Sequence, residues 1–247
     1  MTSVATSYDA QVLQILSGAA PQSIRDVLDV LTQLSNVLPD SDGVKWFNWL
    51  YLQVTTRVGE AVDLGECNDA KFVDLLDARF ASLYFTALKN WLLGAGAPEC
   101  WRALFAARLD QRIARVQFAL AGINAHIDHD LAEAVVTTCA ELGVTPAHGS
   151  AQYIDFTNLN PAIESEIDAA KRELMVTLPG SVIPTANQLE DMLADWGVSS
   201  ARELAWINAE ALWHLRGSRE LYNAQLEVLD ALSTQASRFL LVEIPPV

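Results

Sequence analysis

Two histidines and two aspartates interrupt the apolar stretch AGINAHIDHDLAEAVV, residues 121–136, in a chain that has only four histidines. His126 and Asp130 stand four apart, so on a helix they face the same way. A carboxylate one turn from an imidazole can hold the ring, fix its tautomer and raise its basicity, which suits a general base. The same spacing also presents a nitrogen and an oxygen to one metal ion. On a helical wheel Val116, Leu120, Ile123, Ile127, Leu131 and Ala134 form the apolar stripe, with His126 and Asp130 along one edge. Asp128 falls on the far edge, and His129, on the opposite side, is expected to be solvated.

A second polar misfit lies in LAWINAEALWHLRG. Trp206, Glu210, Trp213 and Gly217 share one face, while Leu204, Ala211 and Leu215 make the opposite face apolar too, with Asn208 at its border. A helix apolar on both sides is a buried one. Glu210 is therefore expected in a dry setting, where desolvation raises its pKa unless a donor or cation is near. The candidate partners are His126 and, one turn on, His214. Tyr51 on the inner face of its helix, Asp77 on an edge beside Tyr84, and Asn124 on the other edge of the His126 helix are further candidates for touching a ligand. Trp206 and Trp213 would shape the wall.

The elements that must position these residues read as helices nearly throughout. PQSIRDVLDVLTQLSNVLP opens at Pro21 and stops before Pro39. VKWFNWLYLQVTTRVGEAV and DAKFVDLLDARFASLYFTALKNWLLG follow with helical spacing, the second ending at Gly94. From Trp101 to Gly143 only Gly122 interrupts, which makes one bent helix or two helices meeting near Asp110. Residues 143–161, GVTPAHGSAQYIDFTNLNP, are rich in Gly, Pro, Ser, Thr and Asn and read as a loop. A helix resumes at Pro161, LPGSVIPT makes a turn, and TANQLEDMLADWG is a short helix. SSARELAWINAEALWHLRG opens on a capping box of Ser200 with Glu203, and a last helix runs from about Arg219 to Leu241. The expectation is a single all-α domain over residues 1–247, a compact bundle of about ten helices.

Composition narrows the function classes. The 247-residue chain is 51% hydrophobic and only 19% charged, so many helical faces must be buried. A net charge of −15 with scattered basic residues repels polyphosphates and argues against nucleic-acid binding. No apolar run is long enough to span a bilayer, and no signal peptide is apparent, so a cytoplasmic protein is expected. Cys67, Cys100 and Cys139 are widely spaced, against a disulfide framework or a thiolate zinc site. The nucleophile elbow, phosphate-binding loop, dinucleotide-binding glycines and H-E-x-x-H are all absent from the sequence.

At FNWLYLQVT, FVDLLDARFASLYFTAL, QFALAGINAHIDHDLAEAVV and AWINAEALWHLRG the chain resembles a largely actinobacterial family, domain of unknown function 5995. The likeness spans about residues 44–241, and its most specific part is the N-A-H-I-x-x-D-L core, here Asn124, His126, Asp130 and Leu131. The A-W-x-N-A-E stretch contributes Trp206, Asn208 and Glu210. The resemblance implies a soluble helical protein and brings no reaction or catalytic residues with it.

These readings converge on an internal, partly aromatic pocket with His126, Asp130 and Glu210 at its polar end. The leading expectation is an enzyme without metal or other cofactor, acting by proton transfer on a mostly apolar small molecule: cyclisation, isomerisation, elimination or hydrolysis. His126 would be the base, Asp130 its orienter and Glu210 a neutral acid or hydrogen-bond donor. The alternatives are a metal-dependent hydrolase or oxygenase using His126, Asp130 and Glu210, with Asp77 as a fourth ligand, and a non-catalytic binding or interaction protein.

Overall fold

The computed structural model of the chain describes residues 6–175 and 197–243. The turn and short helix expected over residues 178–196 lie outside them. The described residues are helical, with no strand among them: α1 (Asp9–Leu16), α2 (Ile24–Val37), α3 (Gly43–Asp63), α4 (Ala70–Leu92), α5 (Glu99–Ala107), α6 (Arg115–Ala125), a π-helical turn (His126–Asp130), α7 (Leu131–Leu142), α8 (Ala151–Asn158), α9 (Asn160–Met175), α10 (Val198–Leu215) and α11 (Arg219–Leu240).

Short polar side chains start several helices by accepting from an otherwise unpaired backbone N–H. Asp42 accepts from Val44 N at 2.9 Å and Asp69 from Phe72 N at 3.0 Å. The α2 cap is Ser23, which accepts from Asp26 N at 3.2 Å, so the helix begins three residues after Pro21. Leu142 is followed by Gly143 at φ +69°, a left-handed position that a side chain would strain. Residues 143–161 are not the continuous loop that their composition suggests. Ser150 caps α8 by accepting from Tyr153 N at 3.1 Å, and Phe156 of that helix is buried. A cap and one apolar anchor outweigh the polar composition. The capping box expected at Ser200 and Glu203 does not form, because α10 starts earlier, at Val198, with Gly197 before it.

The segment α6–π–α7 is one near-continuous helix at the centre of a compact bundle. It packs against α3, α4, α10 and α11, and from Val116 to Cys139 only Asp128, Glu133 and Thr137 escape full burial. Its small residues permit this. A Cβ at Gly122 would collide with the Phe47 ring of α3, so a glycine is what lets α3 close on α6. The helical break expected near Asp110 falls at residues 108–114. It is anchored by buried Arg108, which pairs with Asp9 and, at 3.2 Å, with Asp42, while Tyr8 donates to Asp42 at 2.7 Å. No helix among the described residues is long and apolar enough to cross a membrane.

Candidate functional site

The polar centre of the molecule is built on the π-helical turn. Here the Leu131 N–H reaches back five residues to the His126 carbonyl, a widened turn that α-helices adopt most often at functional sites. His126 Nδ1 lies 2.9 Å from Asp130 Oδ2, and the imidazole is 1% exposed. Asp130 is a triple acceptor. Trp101 Nε1 of α5 donates to the same Oδ2 at 2.9 Å, and His129 Nδ1 lies 2.6 Å from Oδ1.

The expectation that His129 is solvated is corrected here: its side chain is buried beside Asp130. The wheel assumed that the helix had a wet side, whereas this helix is packed all round. Three residues along a helix also leave His129 only about 60° from His126, so both reach the same carboxylate.

Aromatic rings pack directly on the His126 imidazole. Phe80 stacks on it at 3.4 Å between centroids and an angle of 5°. Tyr51 meets it edge-on at 4.8 Å, and Phe47, Trp101 and Tyr84 complete the surround at 5.7, 5.8 and 6.2 Å. In this setting burial pulls the His126 pKa down, against the hydrogen bond and charge of Asp130, and the ring is neutral. Burial pushes the Asp130 carboxyl up, but its hydrogen bonds with His126 and His129 outweigh this and keep it ionised. For His129, burial is outweighed by the bond to Asp130 and the charges of Asp130, Asp230 and Glu133, and its pKa rises. The consistent proton assignment is Nδ1–H on His126 donating to Asp130. His126 Nε2 then carries the lone pair, and this atom is buried without a hydrogen-bond partner.

Further unpaired polar atoms lie on α3 and α4. Tyr51 Oη, Thr55 Oγ1 and Asp77 Oδ2 are buried without a partner of good geometry, as is Tyr84 Oη. Burial, with the nearby charge of Asp74, pushes the Asp77 pKa up to about 8, so at neutral pH it carries a proton. Burial and the charges of Asp77 and Asp130 raise Tyr51 well above its ordinary value. A surface cleft of about 470 Å³ between α2, α3 and α4 is lined by Thr56 and Asp74, the residue next to Thr55 and the one a turn before Asp77.

Glu210 is not part of this centre, and the set His126, Asp130 and Glu210 is split. The Glu210 side chain is 28% exposed. Its Oε1 accepts from Trp206 Nε1 at 3.1 Å and from His148 N at 2.8 Å, and lies 2.7 Å from His148 Nδ1. His148 Nε2 lies 2.8 Å from Glu203 Oε1, and Tyr153 donates to Glu203 Oε2 at 2.9 Å. The partner of Glu210 is thus neither His126 nor His214. α10 buries one face only, leaving Leu204 and Ile207 exposed, which is why the carboxylate between two tryptophans is not dry. Among the described residues no group of three or more His, Cys, Asp or Glu side chains is placed to hold a metal.

The remaining candidates serve helix packing. Trp206 is fully buried against Phe72, Tyr153 and Phe156. Trp213 is half-buried, with the Arg216 guanidinium 3.9 Å above its ring. Asn208 donates to Leu204 O at 2.9 Å and accepts from Gln225 at 3.3 Å. Asn124 ties α6 to α11 by donating to Ser233 O and Ser237 Oγ at 2.8 and 2.9 Å. Reasoning from sequence missed Trp101, Phe80 and Thr55, which have no local motif; of these Phe80 alone carried a signal, as a member of the α4 apolar face. No significant match is found among curated proteins or among solved structures. The profile described as a family of unknown function (DUF5995) matches residues 24–243, and the chain belongs to that family.

Proposed function

We propose that this is a cytoplasmic enzyme that moves a proton on a mostly apolar small molecule, with His126 as general base and Asp130 as the group that orients it and holds its tautomer. The observation that carries the reading is His126 Nε2, a neutral imidazole nitrogen buried among aromatic rings, unpaired, with a carboxylate fixed on the opposite nitrogen. Leaving such an atom unsatisfied costs about 1–3 kcal/mol, and such exceptions ask for an explanation. A substrate C–H or O–H is one. Glu210 drops out as the acid because its carboxylate is turned to His148. Asp77, held protonated and unpaired, takes its place as proton donor, with Tyr51 beside it. Phe80 stacks on one face of the imidazole, while the Nε2 lone pair lies in the ring plane. The three cysteines are all free, in keeping with a reducing compartment.

The test uses a nitrobenzisoxazole, a probe for bases in apolar surroundings. His126 Nε2 takes the ring C–H proton, the N–O bond breaks, and its electron pair leaves on the phenolate oxygen. The wild-type protein is expected to open the ring about tenfold or more faster than His126→Ala, with His148→Ala unchanged. Equal rates for wild type and His126→Ala would overturn the reading and leave a buried structural network.

A further inference from the structure

The outer face of α11 carries an exposed apolar row. Leu221, Val228, Leu232 and Phe239 are each between 50% and 66% exposed, while the opposite face of the helix packs on α5 and α6. At 100° per residue the four fall within about 20° of one line, and at 1.5 Å per residue they span about 27 Å. No charged side chain lies within the row. Gln225 and Gln235 edge the two gaps in the row, and an apolar row of this length is a candidate interaction face.

The spacing of the row fits a second copy of the same helix. Leu221 and Phe239 each lie nine residues from Asp230, and Val228 and Leu232 each lie two from it, so the row reads the same in both directions. Asp230 itself faces inward, where its carboxylate caps α5 by accepting from Glu99 N and Cys100 N at 2.9 Å. A second copy of α11 laid antiparallel about a two-fold axis at this level sets Leu221 against the partner's Phe239 and Val228 against the partner's Leu232, each contact occurring twice. That is the self-complementary contact of a two-fold dimer.

Charge agrees with this register. Glu220 and Arg238 lie on one flank, about 100° from the row, and the Arg238 side chain is 70% exposed. The antiparallel alignment brings Glu220 across from the partner's Arg238 and Arg238 across from the partner's Glu220. A chain of net charge −15 repels its own copies over most of its surface; this face presents a charge-free row, and on its flank the Glu220–Arg238 match stands beside exposed Glu227, which has no cation opposite it. We infer that the protein is a homodimer joined through α11 in antiparallel register.

Sedimentation and light scattering on the full-length protein decide this. Wild type is expected at twice the chain mass at micromolar concentration. Leu232→Glu, at a solvent-facing site and with helical circular dichroism retained, is expected at the chain mass. Glu220→Arg and Arg238→Glu should each weaken association about tenfold, and the double swap should restore it. A monomeric wild type, or a dimer that Leu232→Glu leaves intact, would overturn the inference. A double swap that fails to restore association would overturn its antiparallel register.

Discussion

Two histidine–carboxylate centres in this molecule have nearly the same bond lengths and opposite character. In the interior, His126 and His129 share Asp130 at 2.9 and 2.6 Å. At the surface, His148 bridges Glu203 and Glu210 at 2.8 and 2.7 Å. His148 responds in the ordinary way: the hydrogen bonds to Glu203 and Glu210 raise its pKa. His126 goes the other way, because burial outweighs the carboxylate. The difference between His126 and His148 lies in burial, which at His129 the bond to Asp130 and the charges of Asp130, Asp230 and Glu133 overcome. The surface centre clasps the 143–150 connection to α10, whereas the interior one leaves a basic nitrogen unpaired in an apolar setting.

Mutations can break this contrast, and the largest effect is expected at Asp130. Asp130→Ala removes the acceptor of three buried donors, Trp101, His126 and His129, and should cost roughly 3–5 kcal/mol in urea unfolding, the usual range for breaking a buried charged pair. Asp77→Asn should act in the opposite sense. The folded-state pKa of Asp77 is raised to about 8 from 3.8. Its contribution is therefore fully present below the unfolded value and is lost as pH rises through the folded one. Asp77→Asn is expected to gain roughly 2 kcal/mol over wild type at pH 8, with the gap closing toward pH 4, read from thermal melts across that range. Gly122→Ala should cost about 1–3 kcal/mol by driving a methyl group into Phe47, and should disturb the ring set around His126. His148→Ala should be the mildest, about 0.5 kcal/mol, since exposed ion pairs contribute little.

The contrast also explains what the sequence made legible. Helices followed from apolar spacing, and the His126–Asp130 pair from the identity and separation of its members. Burial was harder to read. The α6–α7 helix was expected to have one wet side, yet Ala119, Ala121, Gly122 and Ala125 are small enough for neighbours to close on every face. α10 was expected to be buried on both sides, yet Leu204 and Ile207 face water. The two errors are one error in opposite directions, because the periodicity of one helix does not state how many neighbours it has. That is why His129 was set outside the centre and Glu210 within it. Trp101, the third donor to Asp130, stands 29 residues away on α5, and only the bundle brings it there.

The proposed chemistry depends on the state of one ring, and nitrogen-detected NMR of His126 reads it directly. With the four histidines assigned by single replacement, His126 is predicted as the Nδ1–H tautomer, with Nε2 unprotonated and titrating below the ordinary value of 6.5, while His129 and His148 titrate above it. The sign follows from burial, which depresses the folded-state value, so the stability from neutral His126 is present above 6.5 and lost as pH falls through the lower value. An Nε2–H tautomer for His126, or a titration above 6.5, would contradict the claim that the interior holds a free base.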